Sequence, residues 1–176
     1  MPIGDTGRVA VVFELVVNFA NHESAVARAL EICDAWPPVL VRGIDLSLEG
    51  PYVTRFSPDS GDYIEFSVGV AGVRFGGVDS EINASDLTHG EITTIGLHLY
   101  DLLRRFDGYV AAVVGWDPEE VVDLRILRSR IDESGLDRLK GLVLASALVL
   151  DWGHESQFSE FAAGYGWVPY GASSDV

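Results

Sequence analysis

Cysteine and lysine are almost missing from this chain, with one of each, Cys33 and Lys140. One cysteine cannot close an internal disulfide, so a secreted disulfide scaffold is excluded and a reducing compartment is expected. Long apolar runs are missing too. Runs such as Val9–Phe13 and Leu142–Ala145 are far too short to span a bilayer. The first residues, Met1 to Arg8, lack the basic and apolar regions of a signal peptide, so a cytoplasmic, non-membrane protein is expected. Positive charge is scarce: 27 Asp and Glu face 12 Lys and Arg, a net charge of −15. Such a field repels phosphates, which argues against direct nucleic-acid binding, and attracts basic proteins. A high negative charge also serves solubility alone.

What is present points to a folded globule. Hydrophobic residues make up 48% of 176, enough for one domain over 1–176 with a core of its own. Residues 1–6 and 173–176 are expected to fray. Arg8 to Phe19 clusters β-formers and predicts a buried strand. Asn21 is a candidate cap for a helix carrying Ala25, Val26, Ala29, Leu30 and Cys33 on one stripe, stopped by Pro37-Pro38. A β-rich middle follows, with strands at 39–48, 52–56 and 63–70. Turns are expected at Glu49-Gly50-Pro51 and over 57–62. Val73–Phe75 extends the last strand or forms a short one, and Gly76 to Gly90 reads as a long connection. Glu91 to Phe106 has helical apolar spacing, and Tyr109 to Trp116 is a buried strand. Asp117-Pro118-Glu119-Glu120 has the chemistry of a helix start, with Asp117 as cap and the helix running to about Leu127. Leu139–Leu144 is expected as a final core strand and Ser146–Trp152 as a short helix before Gly153. Together these predict an α+β fold: a mostly antiparallel sheet with three to four helices packed on it.

No constellation identifies an enzyme, and no catalytic residue is assigned. The histidines His22, His89, His98 and His154 show no metal-ligand spacing, so no metal and no cofactor is expected. Cys33 sits on an apolar helical stripe, where thiols act as small hydrophobes. Ser146 lacks the flanking glycines of a nucleophile elbow. The glycine-rich stretch Gly69–Gly77 has no Lys-Ser/Thr and no following helix, so it is not a phosphate loop.

Two features suit binding instead. From Asp59 to Leu103 there are eight acids and one base, Arg74, and the candidate landing zone is Asp59, Asp62, Asp79, Glu81, Asp86 and Glu91. The tail from Phe158 to Tyr170 is aromatic, and Tyr165, Trp167 and Tyr170 are candidate anchors. The competing reading is that the tail closes its own core.

The stretch Gly115-Trp116-Asp117-Pro118-Glu119-Glu120 is followed by Gly141–Leu144, Phe158–Phe161 and Gly164–Tyr170. In an acidic chain this pattern resembles small cytosolic proteins of GC-rich bacteria, among them immunity proteins of polymorphic toxin systems. The resemblance covers Tyr109 to Tyr170 and assigns no functional residue. It implies a stoichiometric inhibitor, an antitoxin docking on a basic toxin domain such as a nuclease. The alternative is a small enzyme or small-molecule-binding protein with a pocket between sheet and helices. Self-association is left open.

Overall fold

The computed structural model describes residues 11–56, 62–75, 82–83 and 86–170. Its centre is β1 (Val11–Asn18), flanked on both sides by antiparallel neighbours. Alternation along β1 sends Phe13, Leu15 and Val17 to one face of the sheet and Val16 to the other, and both faces carry a core. The full path also uses β4 (Leu48–Phe56), β5 (Tyr63–Phe75), β7 (Ala111–Trp116), β8 (Val143–Ala145), β9 (Ser159–Ala162) and β10 (Tyr165–Trp167). Their order is β4-β5-β1-β7-β8-β10-β9, antiparallel throughout. A two-residue strand, β6 (Ile82–Asn83), runs parallel to the far end of β5.

On the first face lie α1 (Glu23–Asp34), α2 (His89–Leu103) and a hairpin of β2 (Val39–Val41) and β3 (Ile44–Leu46). On the second lie a 3-10 turn (Glu119–Val122), α3 (Leu124–Ser134), a further 3-10 turn (Leu136–Arg138) and α4 (Ser146–Trp152). The fold is therefore α+β, as composition and patterning predict. No described helix is long and apolar enough to cross a membrane.

Several local expectations are corrected. The single strand expected over 39–48 turns back on itself at Arg42-Gly43, both at positive φ, the geometry of a tight two-residue hairpin loop. Glu49-Gly50-Pro51 is not a turn but an irregularity inside β4, where the register against β5 shifts. Asn21 does not cap α1: His22 occupies that position with no side-chain cap, its Nδ1 lying 2.6 Å from the Gly108 carbonyl oxygen. Gly108 takes φ +70°, and a Cβ there would lie 2.9 Å from that of Ala25, so only glycine lets this loop approach α1.

α2 begins two residues earlier than its apolar spacing suggests, because Thr88 and Glu91 form a capping box. Asp117 does not start a helix. Its φ of +43° turns it back on β1, where its Oδ1 accepts from Val12 N–H at 2.9 Å and its own N–H donates to Val12 O at 3.0 Å. Only a 3-10 turn follows, and Asp123, accepting from Arg125 N–H, caps α3 instead. The strand near Leu144 is short and not final, since the aromatic tail adds β9 and β10 beyond it. The turn at 57–61 and most of 76–90 lie outside the described residues.

Candidate functional site

On the second face, helices cover the β7-β8-β10 side, while part of the β4-β5-β1 side carries a groove of about 410 Å³. Its walls come from strands and from Asp117. Inward alternation explains the lining: Glu14 of β1, Glu65, Ser67 and Gly69 of β5, and Tyr52 and Thr54 of β4 share this face. Gly69 stands opposite Glu14 and has no side chain to fill the space.

Glu14 and Glu65 are each only 7% exposed, a burial that a carboxylate sustains through polar partners. Glu65 is hydrogen-bonded to the Tyr63 hydroxyl. Burial first, then the charges of Glu65 and Asp123, push that phenol above its ordinary range. Glu65 pairs across the sheet with Asn18, four residues along β1 from Glu14, about 13 Å at the usual strand rise. The two carboxylates therefore belong to opposite ends of the groove. At the Glu14 end, Arg74, which stands opposite Val12, forms an ion pair with Glu49. The lining thus holds four carboxyl groups (Glu14, Glu49, Glu65 and Asp117) and one guanidinium. Tyr52, 60% exposed, stands at the rim.

The residues expected to form the landing zone are placed differently. Asp59, Asp79 and Glu81 lie outside the described residues. Asp62 is exposed beside a small cleft of about 90 Å³ that also holds Asp123 and Arg125. Asp86 is exposed, and its backbone carbonyl accepts from Arg42. Glu91 takes a two-point contact from Arg42 at 2.6 and 2.8 Å and closes the cap of α2. The Arg42 hydrogen bond, with those from Thr88, holds its carboxyl down at about 2. Its charge is committed within the chain.

The aromatic tail is committed too. Tyr165 stacks on Tyr109 at 4.0 Å, and Trp167 meets Tyr100 and Phe161 at 5.5 and 5.3 Å. Tyr170 packs on Tyr100 at 5.1 Å. The Arg104 guanidinium lies over the Phe161 ring at 4.5 Å. All three candidate anchors are partly buried against the first-face core.

The histidines are dispersed. His98 Nε2 is 3.0 Å from Trp36 Nε1 and 3.1 Å from the Pro37 carbonyl oxygen, and burial lowers its pKa. His154 Nδ1 lies 3.2 Å from Gln157 Nε2. Among the described residues, no three or more histidine, cysteine or carboxylate side chains are placed to hold one metal ion. Burial pushes the Cys33 thiol up to about 12, which suits a packing role.

Glu14, Glu49 and Asp117 lie outside the acidic stretch that charge counting finds, and Glu65, one of its eight acids, is not among the expected landing-zone residues. The available signal was a lone acid inside each of two β-runs, Glu14 within Val11–Val17 and Glu65 within Tyr63–Val70. No protein-family profile, curated protein or solved structure matches this chain.

Proposed function

We propose that this protein binds a basic protein partner and neutralises it stoichiometrically, as an immunity protein inhibits a cognate toxin such as a nuclease. The observation that carries this reading is the groove over β4-β5-β1, whose lining holds four carboxyl groups and a single guanidinium, itself paired with Glu49. The net charge of −15 draws a cationic surface in from a distance and speeds encounter. A lysine or arginine inserted at the Glu14 end and another at the Glu65 end then gain in the low-dielectric groove what they give up in hydration, and Tyr52 offers an aromatic face at the rim.

The test is a titration with basic toxin nucleases over a range of ionic strength. Association should slow steeply as salt rises. The double substitution Glu14→Gln/Glu65→Gln should weaken binding by about tenfold or more, in line with removal of buried charge partners. Asp132→Asn on α3, an exposed acid elsewhere, should leave binding unchanged. Salt-independent binding, or equal loss from both variants, defeats the proposal.

A second reading is favoured by the groove's volume, which falls in the range of small-ligand sites. In that reading the occupant is a small organic dication. Thermal stabilisation by 1,5-diaminopentane, lost in Glu14→Gln/Glu65→Gln, would select it.

A further inference from the structure

At the opposite end of the sheet, β9 pairs with β10 on one side, and its other edge has no partner strand among the described residues. A free edge presents backbone donors and acceptors to any strand that arrives. Beside this edge, on the second face, α4 and the β9-β10 hairpin enclose a groove of about 350 Å³. Val149, Leu150 and Phe158 supply its apolar surface, and Gly166 leaves it open. Leu150 is 62% exposed at its lip. The charged residues lining it are Glu155 and Glu160, and no lysine or arginine follows Lys140 in the chain.

We infer that the free edge of β9 and the adjoining groove receive an extended, cationic segment of a protein partner, added to the sheet as one more strand. The inference rests on the reading of the protein as a binder of a basic partner, and adds a second point of contact to it. Side chains of an added strand alternate between the two faces, so every second one meets the groove beside α4. A lysine or arginine fits it on both counts. Its aliphatic stem covers Leu150 and Phe158, and its charged head reaches Glu155 and Glu160. An acidic strand is rejected by the same two glutamates, and a purely apolar one leaves them without a counter-charge.

The experiment uses the whole chain and an octapeptide of alternating lysine and threonine, blocked at both ends. Amide chemical-shift mapping should place it at Ser159–Ala162 and Leu150. The double variant Glu155→Lys/Glu160→Lys should bind about tenfold more weakly or worse. The same peptide, N-methylated at alternate residues along one edge, keeps its charge but cannot pair as a strand, and should lose about as much. This arm stands even if the charge-reversed protein folds poorly. Equal binding of the N-methylated peptide overturns the inference, as does no binding at about 1 mM. Shifts confined to the Glu14 and Glu65 groove also overturn it, while leaving the parent proposal intact. Loss of nuclease binding in Glu14→Gln/Glu65→Gln bears on the parent proposal alone.

Discussion

Removing one oxygen atom should unsettle three elements at once. The Tyr100 side chain is fully buried in α2; its hydroxyl donates to the Gly141 carbonyl at 2.7 Å and accepts from the Val114 N–H of β7 at 3.2 Å. Tyr100→Phe keeps the ring and its contacts with Phe161, Trp167 and Tyr170, so the apolar contribution is unchanged. What is lost is two hydrogen bonds, with a buried donor and a buried acceptor left behind. At about 1 kcal/mol net per bond, plus the desolvation of groups that cannot reach water, the loss is about 2–4 kcal/mol. In a chain of this length that corresponds to about 4–16 °C in Tm. Urea unfolding followed by tryptophan fluorescence should show a lower midpoint with an unchanged slope. A loss under about 1 kcal/mol would refute the view that this hydroxyl ties α2, β7 and the approach to β8 together. Gly141 is bound up with the same atom, since a Cβ there would collide with the Tyr100 oxygen at a φ of +89°.

Gly96→Ala sets a new Cβ 2.7–2.8 Å from the Tyr170 ring and hydroxyl, and should cost about 1–3 kcal/mol in urea unfolding. In a Tyr170→Ala background the sign should reverse, because only the gain in helix propensity, up to about 1 kcal/mol, remains. Glu91→Gln should destabilise the protein at neutral pH. The Glu91 carboxyl is held at about 2 in the folded chain, below its unfolded value, so its contribution is present above that unfolded value and lost as pH falls toward 2. The stability difference between parent and variant should therefore stay constant from neutral pH to mildly acidic pH and close in acid.

Helical periodicity made α1 and α2 legible, because each buries a regular apolar stripe, and runs of β-formers did the same for β1 and β7, which are buried on both faces. Patterning failed where a local signal had two solutions and tertiary structure chose. Asp117 carries the chemistry of a helix cap, yet β1 lies beside it with the Val12 N–H to satisfy, and the carboxylate goes there. Gly50-Pro51 carries the chemistry of a turn, yet β5 runs on past it, and β4 absorbs the residues as an irregularity. Arg42 gave no warning of a left-handed turn, a conformation that glycine and asparagine usually signal. The site was less legible than the fold. Counting charge along the chain weights Glu91 as heavily as Glu65, although Arg42 engages Glu91 and Glu65 lines a groove. Only strand register brings Glu14 and Glu65 to one face, and register depends on residues far apart in the chain.

The central position of β1 has a consequence for synthesis. Leu15 finds its neighbours at Val68 on one side and Val114 on the other. A nascent chain must carry this greasy ribbon past the exit tunnel well before either mate is translated, and cannot seal it until Trp116 has been added. The ribbon that ends up best hidden is thus the one that waits longest for cover on the ribosome.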